Sequence, residues 1–177
     1  MPTGCLDAYR VASLNAQNNF RLRHGVVALQ EDVKIDASAQ LYADQLAATN
    51  VYDHSKNRDN TGENIYANFT LAPITLAMCL DFAVQCVNYW YDQVKLYNFN
   101  TPGYTIQTGY FSQLVWKSST RVGLGLSSGT YMGFNSLYCV SQYQPAGNIP
   151  LVQEYRDNVL PASSVTTVSK IYINFCI

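Results

Sequence analysis

The sequence has no run of Lys or Arg: 11 basic residues face 12 acidic ones, and the formal net charge is -1. Nothing in it could spread along a polyanion, so nucleic acid is excluded as an expected partner. Long apolar runs are missing too, and no stretch approaches the roughly 20 residues that cross a bilayer. The start, MPTGCLDAYR, has neither a charged leader region nor a long apolar one. The chain is therefore expected to be soluble, with no transmembrane segment and, if exported, with its signal peptide already removed behind an initiating Met. There is no C-x-x-C pair and there are only two histidines, His24 and His54, so zinc-finger and thioredoxin readings have no support.

What is present is 177 residues, 48% of them hydrophobic, which is enough for one well-filled core and short for two. The five cysteines are Cys5, Cys79, Cys86, Cys139 and Cys176, which leaves disulfides or buried thiols as their state. Cys79 and Cys86 stand about two helical turns apart, roughly 10 Å, too far to bridge each other if both are helical. Each then needs a partner elsewhere. The odd count leaves one thiol free or intermolecular, and Cys176 is assigned that role. Asn68 opens the triplet NFT, an N-glycosylation sequon that matters only in a secreted chain.

A first helix is expected over about Asp7–His24, ended by Gly25, with Arg21, Arg23 and His24 in its last turn, where the helix dipole favours cations. A second helix begins at a capping Asp36 or Ser38, and its Ala39, Tyr42, Ala43, Leu46 and Ala47 recur at the spacing of one buried face. Residues 53–64 are polar and turn-rich and read as an exposed loop, with helical periodicity returning near Cys79. In the third helix Leu80, Ala83, Val84, Val87, Tyr91 and Val94 make one apolar stripe, and Phe82, Cys86 and Tyr89 an opposite one. Such a helix is buried on both faces, or packs on the core with one and covers something apolar with the other. Three runs at about 109–117, 121–127 and 131–143 alternate like strands, joined by turns at KSST and SSGT. Helices followed by a meander predict an α+β fold, with the helices covering the sheet. The tail from 161 to 177 reads as an edge strand or a surface segment.

The segments LNAQNNFRLRHG, HS, GENIY, YWYDQVKLYNF, TGYFSQLVWKSSTRVGLG and QYQPAGN, in that order, resemble the CAP superfamily over roughly the first 160 residues. That superfamily takes in cysteine-rich secretory proteins, insect venom allergens, plant pathogenesis-related proteins and helminth venom-allergen-like proteins. PAGNIPLVQEYRDNVLP is also similar to its Golgi-associated plant pathogenesis-related branch, while the cysteines and the sequon lean towards a secreted helminth member. The resemblance implies a three-layer α-β-α sandwich with a central antiparallel sheet, as a CAP domain over 1–160 followed by an extension over 161–177. It also implies a central cleft where two His and two carboxylates hold a divalent metal. Carried over, the first His is His54 and the first Glu is Glu63, but the second Glu falls on Gln93 and the second His on Tyr110. A His common in the first motif is replaced by Gln17.

A neutral amide and a phenol are poor zinc ligands, so the tetrad is expected to be degenerate, with no metal and no cofactor. Its members are expected to hydrogen-bond one another instead. A metal-dependent hydrolase, or one built on His54 and Ser55, is the enzymatic alternative, and the chain is read as non-enzymatic. The resemblance further implies that the loop after the long helix binds sterols, here through Tyr97, Phe99, Pro102, Gly103 and Tyr104. It implies also that a groove between helices takes a fatty acid, here lined by Val11, Leu14, Phe82, Cys86 and Tyr89. The expectation is a secreted, extracellular protein that binds sterols and, secondarily, fatty acids. The competing class is an interaction protein that engages host or other extracellular proteins through its surface.

Overall fold

The computed structural model describes residues 1–58 and 60–163; the expectations for Cys176 and for the tail from 164 onward lie outside the described residues. In chain order the elements are α1 (Cys5–Arg23), β1 (Gln30–Glu31), α2 (Val33–Thr49), β2 (Gly62–Thr70) and α3 (Leu76–Asp92), which runs into a 3-10 turn (Gln93–Leu96). Then come α4 (Gly109–Leu114), β3 (Arg121–Tyr131), β4 (Phe134–Gln144) and α5 (Val152–Asn158). The sheet has the order β1-β3-β4-β2, antiparallel except that the two-residue β1 runs parallel to β3.

Side chains of β4 alternate across the sheet. Leu137, Cys139 and Tyr143 join the core built with α1, α3 and α4, while Tyr138 and Val140 join a second core with α2. The result is the expected α-β-α sandwich. The expected face of α2, Ala39, Tyr42, Ala43, Leu46 and Ala47, is the buried one. Gly123 and Gly125 of β3 let the α2 backbone lie directly on the sheet, because a Cβ at either position would strike the main chain of Ile35 or Ala39. Beyond the short β1, side chains cover the free edge of β3: Asp36 accepts from Leu124 N (2.7 Å), and Gln40 both accepts from Leu126 N (3.1 Å) and donates to Leu126 O (2.9 Å).

The cysteines on α3 each find a partner elsewhere, in the disulfides Cys5–Cys79 and Cys86–Cys139. These close loops of 74 and 53 residues, and bonds of this kind typically contribute about 2–4 kcal/mol each. They tie α3 to α1 on one side and to the sheet on the other.

Several expectations need correction. The run 109–117 is not a strand; it opens with α4, a helix of six residues. So short a helix does not hold itself in water, and here Gln93 Oε1 accepts from Tyr110 N (2.9 Å) and Phe111 N (3.2 Å) at its first turn. The β3–β4 turn is not SSGT but Met132–Gly133, both at positive φ (49° and 83°), with Tyr131 paired to Phe134. Gly129, which had marked the other turn, lies within β3 against the carbonyl of Ala47. Strand β2 occupies the end of the supposed loop and the unassigned stretch after it. The cap of α2 is Asp32, whose side chain accepts from Lys34 N and Ile35 N, since Asp36 is committed to the sheet edge.

Helix α3 buries Cys79, Phe82, Ala83, Cys86, Val87 and Trp90 as one broad face that takes members of both expected stripes and adds Cys79 and Trp90, which were in neither, while Leu80 and Val84 are exposed. Arg21 and His24 are not solvated cations at a helix end, for both are buried. The Arg21 guanidinium donates to the carbonyls of Val27 (2.9 Å), Leu114 (2.9 Å), Trp116 (3.0 Å) and Ser119 (2.7 Å), and burial pushes its pKa down to about 10. His24 lies between Leu160 O (2.6 Å) and Tyr91 Oη (3.0 Å), and its burial lowers its pKa.

Candidate functional site

One face of the sandwich opens into a cleft of about 970 Å³, whose walls come from the loop after α2, the start of β2, the end of α3, the loop 97–108, α4 and residues 146–148. All four expected tetrad positions, His54, Glu63, Gln93 and Tyr110, line it. The topology explains why. Strand β2 carries Glu63 in beside the loop that holds His54, and the 3-10 turn places Gln93 under the first turn of α4, where Tyr110 sits.

Glu63 is buried and all its oxygens are engaged. Its Oε1 faces His54 Nδ1 (2.8 Å) and accepts from Ser55 N (3.0 Å), and its Oε2 accepts from Gln142 Nε2 (3.1 Å). The carboxylate orients the imidazole, which carries its proton on Nδ1 and presents Nε2 to the cleft. The Gln93 amide is oriented just as firmly: with Oε1 accepting two backbone N–H groups, its Nε2 is the remaining donor. Among the described residues neither His54 Nε2 nor Gln93 Nε2 has a hydrogen-bond partner. Burial raises the Tyr110 hydroxyl above its ordinary pKa, so the phenolate that a metal would require is disfavoured.

This donor set does not fit a tetrahedral zinc. The carboxylate is already spent on three donors, the Gln93 oxygen caps a helix, and no group of three His, Cys, Asp or Glu converges among the described residues. The hydroxyl of the loop serine, Ser55 Oγ, bonds the backbone of Asn57 rather than the His54 ring.

The four positions do not bond one another as a single network, as the sequence reading expected. They form two pairs, His54 with Glu63 through side chains and Gln93 with Tyr110 through the backbone. Gln17 lies deeper, donating to Ser13 Oγ (3.2 Å) and Ser141 Oγ (3.2 Å) and accepting from Tyr143 Oη (2.8 Å). Asn64 links this interior set to the cleft by donating to Tyr110 O (2.9 Å).

The expected sterol loop is split. Tyr97, Phe99 and Pro102 turn inward, where Tyr97 and Phe99 meet each other and Phe111 edge to face, at ring-centroid distances of 4.9–6.2 Å. Gly103 is half-buried, whereas Tyr104 and Ile106 stand out at 57% and 86% exposure beside the cleft. The five residues of the expected fatty-acid groove are not brought together. Cys86 is locked in its disulfide, Phe82 is core, Leu14 is packed against the core, Val11 is 63% exposed, and Tyr89 lines the cleft.

Sequence reasoning missed a ladder of rings that leaves the cleft from Tyr110 through Tyr89 (6.2 Å) and Tyr66 (4.7 Å) to Phe82 (5.8 Å). Its one available signal was Tyr66 within GENIY, legible only once β2 is recognised beside α3. Asn68 lies half-exposed on β2, its Nδ2 donating to Gln85 Oε1 (2.9 Å).

The sandwich and its cleft define a CAP domain, and residues 14–143 match the cysteine-rich secretory protein family, CAP, to which the chain belongs. It is similar to the human Golgi-associated plant pathogenesis-related protein 1, with 34% identity over 151 residues that cover 84% of this chain and 90% of that one. It is also 34% identical over 155 residues to Protein PRY2 of Saccharomyces cerevisiae, covering 86% of this chain but 41% of that longer protein. The solved structure of BmVAL-1 shares the fold, with a TM-score of 0.70 at 23% identity over 84% of this chain and 82% of that one.

Proposed function

We propose that this chain is a secreted, non-enzymatic lipid-binding protein that takes up a sterol at the loop 97–108. The observation that carries this reading is the exposure of Tyr104 and Ile106 on a loop whose base, Tyr97, Phe99 and Phe111, is a packed aromatic cluster. A rigid apolar surface suits a flat, rigid skeleton because little freedom is lost on either side. Fatty acids are alternative ligands of the same surface. Export is supported by the two disulfides, which persist in oxidising compartments, and no helix among the described residues is long and apolar enough to cross a membrane. Asn68 is then the glycan acceptor.

The test is saturation binding of labelled cholesterol to the delipidated protein and to a Tyr104→Ala, Ile106→Ala variant. Tyr97 and Phe99 are left intact because they belong to the core. Saturable binding that is lost in the variant supports the reading, and absence of saturable binding in the parent overturns it. A protein-interaction reading is favoured by a separate exposed patch at the β3–β4 tip, where Phe69, Leu71, Tyr131, Met132 and Phe134 stand out together. Partner binding through that tip would survive the loop variant.

A further inference from the structure

We propose that the cleft itself binds a neutral, hydroxyl-rich ligand, a saccharide in pyranose form, hydrogen-bonded by Gln93 Nε2 and His54 Nε2 and stacked on Tyr110 and Tyr104. The proposal shares Tyr104 with the sterol reading but rests on Gln93 and His54, which that reading does not use.

Three hydrogen bonds occupy the Glu63 carboxylate, and the other charged side chains that line the cleft are Lys56 and Arg58 at its rim. Among the described residues a divalent cation finds no ligand set, and an anion would be held by Lys56 and Arg58 at the rim, away from the oriented pair Gln93 and His54. What the cleft does present is unspent hydrogen-bonding capacity of both kinds. Gln93 Nε2 offers donors in an orientation held by two backbone bonds, and His54 Nε2 accepts while the ring is neutral. A hydroxyl both donates and accepts, so vicinal hydroxyls satisfy this pair, whereas a sterol skeleton would leave both groups unpaired.

The rings supply the rest. Tyr110 lies 5.8 Å from the His54 ring and 6.2 Å from Tyr89, so stacking surface adjoins the polar pair. Tyr104 reaches the cleft wall because position 109 is glycine: a Cβ there would come within 2.9 Å of the Tyr104 ring. An aromatic face beside amide and imidazole groups matches the two sides of a pyranose, one carrying C–H groups and the other hydroxyls. A volume of about 970 Å³ stands at the upper end of small-ligand clefts, with room for more than one sugar unit.

The probes are chitotetraose, cellotetraose and mannotetraose, titrated into the full chain labelled with 15N, after EDTA treatment. At least one is expected to shift the Gln93 side-chain amide saturably. Gln93→Glu keeps an oxygen to accept from Tyr110 N and Phe111 N, so α4 stays capped, but it turns the donor into an acceptor; affinity is expected to fall about tenfold or more. Tyr110→Ala, which removes the stacking ring, should not bind. Unchanged circular dichroism checks that each variant is folded. The proposal is overturned by the absence of saturable shifts with all three probes, by equal affinity in Gln93→Glu, or by affinity that collapses with added salt, which would mark an anion held by Lys56 and Arg58 instead. Cholesterol binding by Gln93→Glu should be unaltered, which separates this test from that of the sterol site.

Discussion

Two polar clusters in this molecule are built from similar side chains and do opposite things. Around the end of α1, Arg21, His24 and Gln17 are enclosed, and the Arg21 guanidinium and both ring nitrogens of His24 have partners inside the protein. In the cleft, His54, Glu63, Gln93 and Tyr110 are only half-satisfied: the carboxylate and the amide oxygen are spent on the scaffold, and the two outward nitrogens are not. The comparison teaches that an accumulation of polar groups does not by itself mark a site. Satisfied buried groups hold the fold together, and capacity left over at an open surface is what a ligand can use.

The comparison can be broken most severely at Arg21. Arg21→Met keeps an unbranched apolar stem but leaves four carbonyls without their donor, and is expected to lower stability by about 3–5 kcal/mol. Urea denaturation checks this, and a loss under 1 kcal/mol would mean that the enclosed cluster is not structural. The next largest effect belongs to restoring both ligands, with Gln93→Glu and Tyr110→His together. The double variant should gain zinc binding that the parent lacks, raising stability by about 2.7 kcal/mol at zinc 100-fold above its dissociation constant. Calorimetric titration reads it directly, and equal affinity in both proteins would count against the lost-ligand account.

Smaller is the cost of removing the cap alone. Gln93→Leu should destabilise by about 1 kcal/mol, because the two freed N–H groups lie at the edge of an open cleft and water can reach them. A loss as large as that of Arg21→Met would erase the distinction between the clusters. The smallest effect is in pH dependence. Burial depresses the His24 pKa, so its neutral form stabilises the fold above the ordinary histidine value, and that contribution is lost as pH falls through about 6.5 towards the lower folded value. Denaturation midpoints at pH 7.5 and 5.0 should therefore differ less in His24→Gln than in the parent.

Local apolar periodicity was enough for the buried face of α2 and for the existence of α3, while α1, whose buried face is Cys5, Tyr9, Ser13, Gln17 and Arg21, was legible only through its end signals. The helical spacing of Cys79 and Cys86 likewise excluded a bond between the two, but did not give the partner of either. The cleft was legible only through motif order, which gathered His54, Glu63, Gln93 and Tyr110 from four separate segments. It did not reveal that they pair in twos, nor that Tyr66 and Tyr89 extend the ring surface.

By itself the sequence determined the fold class and the long helices, since these follow from residue type, spacing and the order of segments. Tertiary structure decided what spacing could not. Gln93 makes 109–114 a helix by accepting its first N–H groups, the approach of α2 moves the role of the β3 glycines from turn to packing, and enclosure turns Arg21 and His24 from surface cations into interior ties. In each case a partner distant in the chain supplies the hydrogen bond or the contact that outweighs a local preference worth about 1 kcal/mol or less.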